Sequence, residues 1–138
     1  MDNNIDLSLS NFTKNEFPSH SLYTKFIETI DFNIDKEYLS FISKYNGAEG
    51  NIGKDGYLSL WDIENVLACN PYYDDVEESI NLFFIGTDGA NYGYAFDKTS
   101  GEIVGIDFLD IGEVKTQFFA DSFLNFLRIL EKTVKLTT

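Results

Sequence analysis

The sequence predicts one α+β domain, an antiparallel meander sheet flanked by helices. Three observations predict it. Apolar residues recur at helical spacing towards both ends of the chain, short apolar or alternating segments lie between them, and the later links are too short for the crossovers that parallel strands need. At 138 residues and 43% hydrophobic content, the chain can build one core, since a domain of this size buries roughly two-thirds of its unfolded surface. No internal repeat or low-complexity tract interrupts it. The boundaries expected are a loosely ordered arm over 1–17 and a single domain over 18–138.

The arm is rich in Asn and Ser without sustained periodicity and ends at Pro18. A first helix follows from Leu22, Tyr23, Phe26, Ile27 and Ile30, with Ser19 or Ser21 available as its cap. A second starts near Asp35 and places Tyr38, Leu39, Phe41, Ile42 and Tyr45 on one broad face. It stops at Asn46-Gly47, both of which accept the left-handed conformation. Asp55-Gly56 signals a turn before the strand Tyr57–Leu60, whose Leu58 and Leu60 face inward. A short helix then runs from Trp61 to about Asn70, where Pro71 should prevent its continuation.

Leu82-Phe83-Phe84-Ile85 is apolar on both faces, as a central strand requires. Tyr92 to Phe96 alternates rings with small residues, Asp97–Gly101 forms a turn capped by Asp97, and Ile103–Phe108 makes the next strand. Val114–Phe118 is a candidate extra strand. Phe119, Phe123, Phe126, Leu127, Leu130 and Val134 follow a 3.6-residue period and predict the terminal helix.

Net charge is −13, which disfavours nucleic acid and anionic membranes as partners. Its distribution narrows the choice further. Between Lys54 and Lys98 there is no Lys, Arg or His, while Asp55, Asp62, Glu64, Asp74, Asp75, Glu77, Glu78, Asp88 and Asp97 all lie there. Such a block is either a solvated face or a docking surface for a basic partner. There is no run of ~18 apolar residues to span a bilayer and no basic, apolar leader at Met1, so the location expected is cytoplasmic. The single Cys69 cannot form an internal disulfide.

Reactive chemistry finds little support. His20 is the only histidine and Cys69 has no basic neighbour in sequence, so neither a histidine-based triad nor an activated thiolate is expected. One Cys and one His cannot supply the usual four ligands of a structural zinc site, and the calcium-loop spacing is absent. Asp74, Asp75, Glu77 and Glu78 could in principle supply a hydrolase pair, but clustered acids on a polar link stay solvated. The glycine-rich stretch Gly86–Gly93 lacks a phosphate-loop pattern and contains Asp88, so it reads as a strand-to-strand turn. No catalytic residue, metal or cofactor is expected.

Four strings stand in order along the chain: Glu37-Tyr38-Leu39-x-Phe41-Ile42-x-x-Tyr45-Asn46-Gly47, Phe84-Ile85-Gly86-Thr87-Asp88-Gly89, Tyr94-Ala95-Phe96-Asp97, and Asp121-Ser122-Phe123-x-x-Phe126-Leu127. Together they resemble the SUKH superfamily, over about Phe32 to Leu130. That group is named for fungal regulators of cell-wall glucan synthesis and includes bacterial immunity proteins that neutralise polymorphic toxins. Many members carry Leu-Pro where this chain has Ile34-Asp35, and Asp35 can replace the proline at a helix start. The resemblance implies a SUKH-like α+β fold over 18–138, with Gly86, Asp88 and Gly89 as fold-defining positions.

It also implies a non-enzymatic protein-binding module, most specifically an immunity protein whose acidic surface docks on a basic, possibly nuclease, toxin. The candidate contacts are Asp74, Asp75, Glu77 and Glu78, with Tyr72 and Tyr73 as aromatic anchors and Asp88 in second rank. The alternative is a regulatory scaffold like the glucan-synthesis regulators. A carboxylate-dependent hydrolase is the third reading.

Overall fold

A computed structural model describes residues 2–54, 56–73, 81–107 and 117–132. The elements are α1 (Asp2–Ser8), β1 (Thr13–Lys14), α2 (His20–Thr29), α3 (Lys36–Tyr45), β2 (Ala48–Ile52), β3 (Gly56–Leu60), α4 (Ile63–Tyr73), β4 (Leu82–Thr87), β5 (Tyr92–Asp97), β6 (Ile103–Asp107), β7 (Gln117–Ala120) and α5 (Phe123–Lys132). The seven strands form one antiparallel sheet in the order β1 to β7, so every strand pairs with its neighbours in sequence. β4 stands in the middle, as its two-sided apolar run requires.

One face of the sheet carries the main core. Phe83, Ile85, Tyr94, Phe96, Leu58 and Leu60 pack there against Phe26 of α2, Phe41 and Ile42 of α3, and Phe123, Phe126 and Leu127 of α5. Tyr38 sits at its centre, fully buried, with edge-on rings of Phe96 at 5.3 Å and Phe123 at 5.4 Å. A second, smaller cluster of Leu82, Phe84, Ala95, Val104 and Ile106 lies on the opposite face of β4–β6. Trp61 packs against both clusters.

Polar side chains tie the helices to one another. Asp35 Oδ1 accepts the amide of Glu37 at 2.7 Å and caps α3, while its Oδ2 accepts the amide of Phe123 at 2.7 Å and caps α5. One carboxylate thus satisfies first-turn donors of two helices. Asn46 closes α3 in the left-handed region (φ 45°), and its Oδ1 accepts the amide of Ile63 at the start of α4. Gly47, at φ 100°, lies so close to the Leu60–Asp62 backbone that a side chain there would collide with it.

The sequence expectations fail in four places. The described part of the expected loose arm over 1–17 is ordered: residues 2–17 hold α1 and β1, and Ile5, Leu9 and Phe12 are buried. Those three residues have helical spacing that the surrounding Asn and Ser disguise. The α1 contact is tied by Lys44 Nζ to Asp6 at 2.8 Å and by the Tyr45 hydroxyl donating to Asp6 at 3.0 Å. The glycines of 48–52 likewise hide strand β2, where Gly50 lets Phe12 lie directly on the backbone.

Pro71 does not end α4, which continues to Tyr73. Asn70, just before it, donates to Val66 O and Phe84 O at 2.8 and 2.9 Å and accepts Phe84 N at 2.6 Å. Its carboxamide stands in for a peptide group at the edge β3 leaves, and holds the helix to β4 through the proline. Phe119 belongs to β7 and not to the terminal helix, and the extra strand lies at Gln117–Ala120. Val114, Phe108 and Val134 lie outside the described residues.

Candidate functional site

The period-two alternation of β2 and β3 turns Ala48, Leu58 and Leu60 into the core and Glu49, Tyr57 and Ser59 to the other face. A groove of about 350 Å³ opens beside this half of the sheet, walled by Thr13, Glu49, Ser59, Trp61, Asp62 and Asn65. Strand β1 supplies Thr13 because it pairs Thr13 with Glu49. The tight Asn46–Gly47 crossing under Leu60–Asp62 sets where β3 stops, and so where Trp61 and Asp62 enter the wall.

Charge in the groove is uncompensated by cations among the described lining residues. Asp62 Oδ1 accepts the Asn65 amide at 2.9 Å and so caps α4. Glu49 accepts a hydrogen bond from the Tyr57 hydroxyl, which raises the tyrosine's pKa. Lys14, next to Thr13 in sequence, turns away: its Nζ donates to Leu9 O and Phe12 O and lies over the Tyr45 ring.

Tyr57 extends the site along the sheet. Its ring lies against Gly89, whose positive φ of 85° shapes the β4–β5 turn. In that turn Asp88 Oδ1 accepts the amides of Ala90 at 2.9 Å and Tyr92 at 3.2 Å. Asp88 therefore has the turn-forming role expected of it, with one oxygen committed. Burial first, then the charges of Asp107 and Asp88, raise the pKa of Tyr92. Burial, then Asp88, raise that of Tyr94.

Tyr72 and Tyr73 are the last two residues of α4, and their side chains are outside the described set; Asp74, Asp75, Glu77 and Glu78 lie outside the described residues altogether. His20 is exposed as the first residue of α2. Cys69 is half-buried in α4, and burial followed by the charge of Asp62 pushes its thiol pKa up, away from the reactive thiolate. Asp97 caps its turn, accepting Thr99 N at 2.8 Å and Ser100 N at 3.2 Å.

Among the described residues, no group of three or more His, Cys, Asp or Glu is placed to hold a metal, and no helix is long and apolar enough to cross a membrane. Glu49, Trp61 and Asp62 were missed as site residues. The outward register of Tyr57 and Ser59 was legible from alternation, but Glu49 sits in a glycine-rich segment that does not read as a strand. No protein-family model matches the chain, and no curated protein matches it.

Proposed function

We propose that this chain is a non-enzymatic protein-binding module with a SUKH-like fold, acting as an immunity protein that neutralises a basic toxin. The observation that carries the reading is electrostatic. The stretch from Lys54 to Lys98 contains no cation between its ends, and its strands β3, β4 and β5 occupy the middle of the sheet, with α4 joining β3 to β4. Asp62 belongs to that stretch and lines the groove, and Asp88 belongs to it in the β4–β5 turn whose Gly89 meets the Tyr57 ring. A surface of one sign speeds encounter with an oppositely charged partner and selects it.

The family resemblance is supported by where its strings fall. They occupy α3 with its stop, β4 with its turn, β5, and the start of α5, and their aromatic residues Tyr38, Phe41, Phe96 and Phe123 meet in one cluster. Asp35, which stands in the place of the usual proline, begins α3 by capping it. The packing of these rings supports reading the strings as fold-defining.

The test is protection. Co-expression of this chain should let cells survive a toxin domain taken from a neighbouring gene, and the purified pair should form a complex that weakens steeply with salt. Charge reversal at Asp74, Asp75, Glu77 and Glu78 tests the acidic link as the face. Unchanged binding and salt dependence in that variant would remove the link from the interface. Failure of the wild-type chain to protect or bind would sink the immunity reading.

A further inference from the structure

We infer that the groove between β1–β3 and the start of α4 receives an arginine side chain of a basic protein partner. This rests on the protein-binding reading and names the chemistry that one part of the surface would recognise. The groove offers what a guanidinium needs. Its lining includes the acids Glu49 and Asp62, the hydroxyl residues Thr13 and Ser59, and Trp61 at the end of β3. A guanidinium presents five donors on a flat, weakly hydrated group, so it pairs with carboxylates and lies against an indole at the same time.

Other occupants fit less well. An anion would meet two carboxylates and no cation among the described lining residues. A neutral apolar group would cover those carboxylates from water and offer them no further donor. An internal occupant is excluded for the nearest lysine, because Lys14 is held on the far side by two backbone carbonyls. The volume of about 350 Å³ is enough for one long side chain and its surrounding backbone but small for a folded element.

Trp61 is the only tryptophan of the chain and lines the groove, so its fluorescence reports occupancy directly. The probes are three acetylated, amidated tripeptides, Gly-Arg-Gly, Gly-Lys-Gly and Gly-citrulline-Gly, titrated into the full chain. Citrulline keeps the shape of arginine and removes its charge. The arginine peptide should give a saturable change, roughly tenfold stronger than citrulline and stronger than lysine. The double variant Glu49→Gln with Asp62→Asn should lose that response while keeping its far-ultraviolet spectrum, because Asn still caps α4 and Gln still accepts from Tyr57.

A flat titration, an equal response to citrulline, or an unchanged response in the folded double variant would each overturn the assignment. If the double variant unfolds, Ser59→Arg decides instead: an arginine supplied from the wall should abolish the response, and its persistence would overturn the assignment. The peptide arm needs no partner protein, so its failure counts against the groove alone. Failure of toxin protection counts against the reading on which the groove rests.

Discussion

On the helix-covered face of the sheet, side-chain oxygens and amides that reach the core are bound to backbone ends, whereas the open face beside β1–β3 keeps Glu49 and Asp62 next to a groove. Asp35 caps two helices, Asn46 joins α3 to α4, and Asn70 completes the edge of β4. Glu49 meets a single tyrosine hydroxyl, and Asp62 caps one exposed turn. The same residue chemistry is thus structural on one face and available on the other. Burial decides which, because a buried acceptor must be matched within the chain while a wet one is matched by water.

Substitutions can break this contrast, and the largest effect is expected at Asp35. Asp35→Ala removes acceptors from two helix starts and should lower stability by ~2–4 kcal/mol in urea titrations. Asp35→Asn keeps one acceptor oxygen and should fall between. Equal stabilities for all three chains would mean that the double cap contributes nothing. Next is Asn70→Ala, which removes the side-chain carboxamide that bonds the N–H and C=O of buried Phe84. A loss of about 1–3 kcal/mol is expected, with faster amide exchange at Phe84; unchanged exchange would refute the surrogate-strand role.

Tyr38→Phe should act in the opposite direction. The Tyr38 hydroxyl is buried with no hydrogen-bond partner among the described residues, and burial drives its pKa strongly upward. Removing it should leave stability unchanged or raise it by up to about 1 kcal/mol. A clear loss would show that the hydroxyl is matched after all, and that the covered face has no exception.

The α1 latch sharpens the contrast through pH. The Lys44 hydrogen bond is the largest influence on Asp6 and, with the Tyr45 hydroxyl, holds its carboxyl below the ordinary 3.8. A depressed carboxyl pKa contributes stability that is present above the unfolded value and lost as pH falls through the folded one. The difference between wild type and Asp6→Asn should therefore be constant above about pH 5 and vanish below the folded pKa. A difference that persists in strong acid would mean that the pair is not its source. The smallest effect belongs to Glu49→Gln, within roughly 0.5 kcal/mol of wild type, since the open face has little to lose in folding. A large destabilisation there would erase the distinction between the faces.

Much of the architecture was legible because it rests on local rules. The alternation in Leu58–Leu60, the two-sided apolar run of Leu82–Ile85 and the 3.6-residue period through Phe123, Phe126, Leu127 and Leu130 each reflect one burial geometry. What escaped depends on distant partners. Ile5, Leu9 and Phe12 become core because α3 and α5 are there to receive them, and Gly50 pairs with Leu58 of β3 where Phe12 leaves no room for a side chain. Asp35 was legible as a helix start but not as the cap of a second helix 88 residues away. The groove was hidden for the same reason: Thr13, Glu49 and Trp61 meet through strand pairing that no short window contains.

The strictly sequential strand order has a consequence for how the chain assembles on the ribosome. From β2 onward each emerging strand finds its template already made, so ordering can advance with synthesis at low loop-closure cost. The amide of Phe123 is the exception. It reaches Asp35 only after 88 further residues have emerged, and until then α3 lacks the aromatic cover that α5 brings. A nascent chain halted before Phe123 would hold a paired sheet with an open aromatic flank, and that is the intermediate a chaperone would meet.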